Sequence, residues 1–214
     1  MEESTSREKI LKAVRNALIE PSENPFSIVD MDSAIFEERD EIPELIFADE
    51  FTKVGGVFVY CENNEDFGVN FKTLSEQKQW NEVFCFEGSI QNMLDKLGIS
   101  YQTSKEDLAR IQVGITPCEY LIARTGSIMV SSRCQTGRRL NVLPETHIVI
   151  AKSNQIVSDI KDAFRQIKLD NEVLPSMISL ITGASRTADI EKTLVMGAHG
   201  PRELYVFFID EYQD

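Results

Sequence analysis

The sequence has few of the side chains that usually hold metal ions. Its two histidines, His147 and His199, are far apart, and no His-x-x-x-His pair occurs. The four cysteines lie singly at positions 61, 85, 118 and 134, without the Cys-x-x-Cys spacing of zinc or iron–sulfur ligands. Cys61 and Cys85 stand inside apolar runs, which favours buried free thiols in a reducing compartment. We therefore expect no metal and no cofactor in this chain.

The motifs of several common ligand sites are also missing. No Gly-x-Gly-x-x-Gly, Gly-x-x-x-x-Gly-Lys-Ser/Thr or Gly-x-Ser-x-Gly sequence occurs, so dinucleotide, nucleoside triphosphate and serine hydrolase sites have no support. No run reaches the roughly 18 apolar residues that span a bilayer. Residues 1–6 lack the basic start of an export signal. These features predict a soluble, cytoplasmic protein without membrane insertion.

Positive charge is scarce. The chain has 35 acidic and 22 basic residues, which gives a formal net charge of -13. Such a chain repels a phosphate backbone unless its basic residues form a strong patch, so nucleic acid is not an expected partner. A short basic loop at residues 133–139 could attract a small anion, although a solvated loop is the ordinary interpretation of such a segment.

The N-terminal region differs from the rest of the chain. Between Arg7 and Ile19, apolar residues recur at steps of three and four, which predicts an amphipathic helix whose apolar stripe docks on the body. Residues 20–43 carry prolines and an acidic cluster without sustained periodicity, as a surface linker does. We therefore expect residues 1–42 to form a helix and an acidic linker packed on the body, and residues 43–214 to form one α/β domain.

Strand-like and helix-like segments alternate through that domain. Several strand-like runs are too continuously apolar for half-exposed strands, which is typical of central strands covered on both faces. The alternation predicts an α/β fold, a layered sandwich around a mostly parallel sheet, and Gly98 is expected to cap the helix before it. The expected strands are 57–61, 83–86, 111–115, 127–131, 147–151, 178–182 and 204–209, and the expected helices are 67–80, 90–97 and 155–167.

The first candidate site follows the apparently buried run at 178–182. The small-residue turn that begins at Gly183 would leave backbone N–H groups free, and with Arg186 alongside it could hold a phosphate or carboxylate. The same residues also fit a helix N-cap, with Asp189 and Glu191 in the first helical turn, and the two interpretations are compatible. The residues expected to bind the anion here are Gly183, Ser185, Arg186 and Thr187.

Two further junctions are candidates. At residues 125–127, Gly126 would let a ligand or a crossing strand approach the backbone, and the hydroxyls of Thr125 and Ser127 could reach a small acceptor; a tight turn or bulge is the alternative. His199, which stands beside Gly200, could transfer a proton or bind a metal, or could simply be satisfied by a backbone carbonyl. His147 opens an apolar strand, so we interpret it as a satisfied core histidine.

Four sequence blocks together resemble one known family. In order they are Thr125-Gly-Ser127, Leu143-Pro-Glu-Thr-His147, Gly183-Ala-Ser-Arg-Thr-Ala-Asp-Ile-Glu191 and Gly197-Ala-His-Gly-Pro201. Over roughly the last hundred residues this pattern is similar to the lactate-utilisation C proteins, which form the LUD-domain family. The Ser-Arg-Thr-Ala-Asp-Ile-Glu and His-Gly-Pro sequences are the most specific parts of the resemblance.

The resemblance implies both a fold and a role. The fold is the three-layer sandwich shared by ribose-phosphate isomerases, glucosamine-phosphate deaminases and CoA transferases. The role is to act beside two iron–sulfur partner proteins that oxidise L-lactate to pyruvate, with the clusters on the partners. One residue departs from the family pattern, because Arg124 stands where an acidic residue commonly precedes Thr-Gly. A basic residue there cannot act as a catalytic acid and would instead suit an anionic ligand.

Three functions remain open from the sequence. The leading hypothesis is an accessory subunit of an L-lactate to pyruvate oxidation system that binds iron–sulfur partner proteins and a small anion. Its anion site would combine the turn at Gly183 with Thr125, Gly126, Ser127 and Gly200. The second is a stand-alone enzyme acting on a sugar phosphate or acyl-CoA. Its acid–base groups would be drawn from Asp189, Glu191 and His199. The third is a ligand-binding regulatory module.

Overall fold

The computed structural model describes residues 5–19, 39–104, 111–134, 139–170, 172–190, 193–197 and 199–210. The chain divides into two units, residues 1–40 and 41–214. In the first unit, helix α1 spans Ser6–Ile19. Thr5 and Glu8 cap its start reciprocally, because the Thr5 N–H donates to Glu8 Oε2 and the Glu8 N–H donates to Thr5 Oγ1. The docking of the α1 stripe on the body stays a prediction, and most of the expected linker lies outside the described residues.

The second unit is built on a five-stranded parallel sheet. Its strands, in spatial order, are β1 (Val57–Cys61), β11 (Glu203–Ile209), β6 (Thr146–Lys152), β3 (Val113–Pro117) and β2 (Val83–Cys85). All four pairings are parallel. Nearly every residue of β6 and β11 is buried, so these central strands are covered on both faces. The apolar runs had predicted this position for them.

Two helices cover one face of the central sheet. Helix α3 spans Asn64–Lys78 and helix α4 spans Gly88–Lys96. Asn63 caps α3 by accepting a 2.9 Å hydrogen bond from the Asp66 N–H. Gly98 follows α4 with a φ of +62°, as predicted for a helix C-cap. The apolar cluster under both helices is rich in aromatic rings, including Phe67, Phe71, Trp80, Tyr205 and Phe207.

The opposite face packs against helix α2 and a second, smaller sheet. Helix α2 spans Pro43–Lys53, and its buried rings Phe47 and Phe51 stack with centroids 5.3 Å apart. Burial of each ring stabilises the fold by on the order of 2 kcal/mol. The second sheet has the order β7 (Ile156–Val157), β4 (Tyr120–Ile122), β5 (Ser127–Ser131) and β8 (Ile178–Ile181). Helix α5 (Ile160–Leu169) lies against it through Ala163 and Ile167.

Three local expectations were wrong. The helix expected from residue 155 begins at Ile160, because residues 153–155 form a 3-10 turn and β7 pairs with β4. The Gln155 side chain explains this late start, since its Oε1 accepts from the Lys152 N–H and its Nε2 donates to the Cys118 carbonyl. The strand β8 is an edge strand rather than a buried one, with Leu180 40% exposed.

The third correction concerns the segment after Gly183. It forms no helix there, because β9 (Arg186–Ile190) pairs antiparallel with β10 (Thr193–Met196) as a two-stranded hairpin. An N-cap at Ser185 is therefore excluded. The class itself is confirmed: the protein is α/β, with a mostly parallel central sheet flanked by helices. Among the described residues, no helix is long and apolar enough to cross a membrane.

Candidate functional site

Two of the three predicted junctions meet through a chain of hydroxyl groups. Thr125 Oγ1 donates to Ser127 Oγ over 2.8 Å, and Ser127 Oγ lies 2.7 Å from Thr182 Oγ1. Ser127 is buried at the start of β5, whereas Thr182 is exposed just after β8. Because β5 and β8 are paired strands, the hydrogen-bonded hydroxyls join the turn at Gly126 to the turn at Gly183.

Helix α2 is the element that approaches these two turns. Gly126 has a φ of +57°, and a Cβ at this position would overlap the backbone N of Phe51. A Cβ at Gly183 would overlap the carbonyl oxygen of Val54, the residue after α2. The close approach predicted at Gly126 is therefore real, but the approaching group is a helix of the same domain rather than a crossing strand.

Arg186 is bonded to the end of the same helix. Its guanidinium donates to the Val54 carbonyl and lies against Gly55. Cationic side chains stabilise helix C-termini by bonding the last carbonyls, which have no partner within the helix. The Arg186 side chain is exposed, and its guanidinium has further N–H donors besides the one bonded to Val54. Arg186 thus has a structural contact in addition to its expected role in anion binding.

The loop that carries His199 joins the same cluster of turns. The Ser185 N–H donates to the Pro201 carbonyl over 2.8 Å, and the Gly197 N–H donates to the Ser185 carbonyl over 2.9 Å. A Cβ at Gly200 would lie 3.0 Å from Ser185 Cβ. The Arg202 N–H bonds the Glu145 carbonyl, so the Leu143–His147 block joins the cluster. All four blocks that carry the family resemblance therefore converge.

Of the three candidate acid–base residues, the structure describes the side chain of His199 alone, and it is exposed in its loop. Asp189 and Thr187 belong to the part of β9 after Arg186, where the structure describes the backbone but not the side chains. Glu191 lies outside the described residues. The hypothesis that these groups do acid–base chemistry stays a prediction.

Arg124, the residue that departs from the family pattern, forms an ion pair with Asp159. Their NH2 and Oδ2 atoms are 2.5 Å apart, and the Arg124 N–H donates to the Ser158 carbonyl. Burial alone would raise the pKa of Asp159, but the hydrogen bond and charge of Arg124 lower it. Arg124 therefore ties the turn before β5 to the residue that precedes α5.

His147 lies inside the core, as predicted. It is fully buried on β6, and its Nε2 is 2.8 Å from the hydroxyl of Thr116 on β3. Within the described part of the chain, no hydrogen-bond partner faces its Nδ1. Burial lowers the pKa of His147 to about 4, so the imidazole is neutral at physiological pH.

Sequence reasoning marked the basic loop that begins at Arg133 but missed its polar neighbours Glu119 and Ser131 near the carboxyl end of β3. Glu119 accepts a 2.5 Å hydrogen bond from Ser131, and Arg133 lies beside both residues. A signal for Glu119 was available, because open α/β sheets bind ligands beyond the carboxyl ends of their strands and Glu119 follows β3 closely. The described parts of the chain contain no group of three or more His, Cys, Asp or Glu residues arranged to hold a metal ion.

The comparisons with known proteins agree with the resemblance in the sequence. The LUD domain model matches residues 29–209. The chain is 38% identical over 102 residues to "Lactate utilization protein C" of Bacillus subtilis, covering 46% of this chain and 42% of that protein. It is 30% identical over 140 residues to the protein of that name from Shouchella clausii, covering 62% and 61%. An uncharacterised protein of Neisseria meningitidis is 35% identical over 104 residues, covering 49% and 45%.

A solved structure supports the fold. The crystal structure of a DUF162 family protein from Deinococcus radiodurans superimposes with a TM-score of 0.56 at 22% identity, over 78% of this chain and 96% of that one. The chain spans about half the length of most of the curated relatives described above. Because the family model covers most of the sequence, the chain belongs to the LUD-domain family.

Proposed function

We propose that this chain is an accessory subunit of a system that oxidises L-lactate to pyruvate, and that it acts with iron–sulfur partner proteins in the cytoplasm. The observation that carries the proposal is the 38% identity over 102 residues to a protein named for lactate utilisation. The convergence of the four sequence blocks supports it further, because those blocks carry the resemblance to the family.

Iron–sulfur partners suit the chemistry of this chain. Oxidation of a 2-hydroxy acid to a 2-oxo acid releases two electrons, which an iron–sulfur protein can accept one at a time. Cys61, Cys85 and Cys118 are buried free thiols in the two apolar cores. Burial raises the pKa of Cys61 and Cys85 to about 11, which disfavours the thiolate that ligates a cluster. We therefore assign the redox centres to the partners.

A small anion is the second part of the proposal. Its site would be the turn cluster that contains the exposed Arg186 and the Thr125–Ser127–Thr182 hydroxyls. A carboxylate or phosphate there would accept hydrogen bonds from the further N–H donors of the Arg186 guanidinium. The anion residues predicted from the sequence are kept for this site: Thr125, Gly126, Ser127, Gly183, Ser185, Arg186, Thr187 and Gly200.

Affinity purification from the native cytoplasm tests the subunit role. The tagged full chain is recovered from cells grown on L-lactate, and the proteins that co-purify are identified and assayed for iron. We expect iron–sulfur proteins to co-purify in near-stoichiometric amounts. Cells that express the tag alone should yield no such proteins and no iron. A chain that purifies by itself and turns over a sugar phosphate or an acyl-CoA would contradict the proposal and would support the stand-alone enzyme.

A further inference from the structure

The central sheet has a topological switch point between β2 and β3. After β2 the chain enters α4, which packs on one face of the sheet with Ile90 and Leu94. After β3 it enters β4, which packs on the opposite face with Leu121. The two neighbouring strands are parallel, so their connections diverge at their carboxyl ends. Ligands of open α/β sheets bind at such points, in the space between the diverging connections.

Three polar side chains meet on the β3 side of this switch point. The Ser131 hydroxyl, which is buried, donates to Glu119 Oε1 over 2.5 Å. The Glu119 side chain is 14% exposed, and its Oε2 lies 3.9 Å from Arg133 NH1. That separation exceeds a hydrogen bond, so the half-exposed guanidinium still has donors to offer to an anion. The N–H donors of the Arg133 guanidinium thus lie beside the carboxylate of Glu119.

The position of Glu119 is fixed by a side-chain clamp. Gln155 Nε2 donates to the carbonyl of Cys118 over 2.7 Å, while Gln155 Oε1 accepts from the Lys152 N–H over 2.9 Å. The end of β3 is therefore tied to the end of β6, its neighbour in the central sheet. On the other side, the Arg133 N–H donates to Ser131 Oγ over 3.0 Å. A binding group held this way is pre-organised, which reduces the entropy lost on binding.

On the β2 side of the switch point, Gly88 begins α4 directly after Glu87. Among the residues that the structure describes, no atom lies within 4 Å of a Cβ added at Gly88. The two sides follow neighbouring strands, because Cys85 at the end of β2 is paired in parallel register with Ile115 of β3. Gly88 and Glu119 come shortly after these two residues, so the space beside Gly88 lies at the same edge of the sheet as the polar group on the β3 side.

We infer that this switch point binds a small 2-hydroxy carboxylic acid through Arg133 and Glu119. Arg133 would hold the ligand carboxylate with its fork of N–H donors. Glu119, which can only accept, would take the hydrogen bond of the 2-hydroxyl group. A 2-oxo acid presents lone pairs to the same carboxylate and is repelled. The choice of 2-hydroxy acids among small carboxylates rests on the proposed function, whereas the site itself rests on the geometry.

Calorimetry on the full chain tests this assignment, with sodium L-lactate and sodium pyruvate as the probes. We expect L-lactate to bind at least about tenfold more tightly than pyruvate, since a hydrogen bond to a charged group is lost with the oxo acid. Arg133→Gln should weaken L-lactate binding by at least about tenfold. Glu119→Gln should abolish or reverse the preference, because an amide can donate to the oxo group.

Arg165→Gln is the matched control, because Arg165 is an exposed arginine on α5, whose ion pair with Asp162 is exposed as well. It should leave both affinities unchanged, and thermal melts should show that all variants are folded. Equal binding of the two acids, binding of neither, or unchanged lactate binding in Arg133→Gln would overturn the assignment. Those results would leave the recovery of iron–sulfur partners untouched. Lactate selectivity in calorimetry, together with an affinity purification that recovers no iron–sulfur partner, would instead overturn the subunit role alone.

Discussion

Thr116 on β3 and His147 on β6 are joined side chain to side chain by a 2.8 Å hydrogen bond in the interior of the domain. Both residues are fully buried, and the contact links two neighbouring strands of the central sheet. A neutral imidazole can form the hydrogen bond to the hydroxyl without burying a charge, whereas an imidazolium here would be desolvated without a counter-ion. Protonation of His147 is therefore coupled to unfolding.

The stability of the fold should fall in mild acid because of His147. Its pKa drops from 6.5 to about 4 on folding, so between these values the unfolded chain binds a proton that the folded chain does not. The free energy of unfolding should decrease by up to about 3 kcal/mol as the pH falls through this window. Urea unfolding at a series of pH values from 7 to 4 measures this decrease in the free energy of unfolding. His147→Gln should flatten the dependence, and the exposed His199→Gln should not; equal slopes in the two variants would refute the coupling.

Arg124 and Asp159 should be coupled in stability. Their side chains are 27% and 34% exposed, so solvent screens the pair and its contribution is about 1 kcal/mol. Arg124→Gln and Asp159→Asn should each lower the free energy of unfolding by about that amount, and the double variant should lose little more. A double-mutant cycle by urea unfolding gives the coupling. If the two losses simply add, the ion pair makes no contribution of its own.

Gly126 should tolerate no side chain, because α2 occupies the space of its Cβ and its φ is positive. Gly126→Ala should destabilise the fold by about 2 to 4 kcal/mol through strain and displacement of α2. Gly88→Ala is the matched control, since a Cβ there would meet no atom of the described residues, and it should change stability by about 0.5 kcal/mol or less. Thermal melts compare the two variants. Similar melting temperatures would mean that α2 does not pack closely enough against Gly126 to exclude a side chain.

The strands of the central sheet were predictable, as were β5 and β8 of the small sheet, whereas β4 and β7 were not. Continuous apolar runs marked β6 and β11, because burial on both faces leaves no polar alternation. By contrast, β4 has three residues and β7 has two, which is too short for any periodicity to register. These strands form by pairing with segments distant in the sequence, and a local hydrophobic pattern cannot indicate such pairing.

The candidate site, like the fold, could be predicted from the sequence only in part. Gly126 predicted a close approach to the backbone, but only the fold identifies α2 as the approaching element, both there and at Gly183. The segment after Gly183 looked like a helix start because Ser, Thr and Asp suit helix caps, yet strand pairing prevailed. Glu119 and Ser131 are twelve positions apart, and it is the antiparallel pairing of β4 with β5 that brings them together.

Arg186 should matter more for binding than for folding. Arg186→Ala removes one exposed hydrogen bond to the Val54 carbonyl, which should cost no more than about 1 kcal/mol of stability. The same change should abolish the binding of an anion to the turn cluster. Calorimetry with inorganic phosphate measures this, with Arg186→Lys as the variant that keeps the charge. Unchanged phosphate affinity in Arg186→Ala would show that the side chain only stabilises the end of α2 and does not bind the anion.

The proposed subunit role makes this chain necessary for L-lactate oxidation. L-lactate-dependent reduction of an electron-accepting dye is measured in extracts of native cells that lack the chain. We expect such extracts not to oxidise L-lactate, and we expect the purified full chain to restore the activity to the level of the parent extract. Unimpaired L-lactate oxidation without the chain would contradict that role.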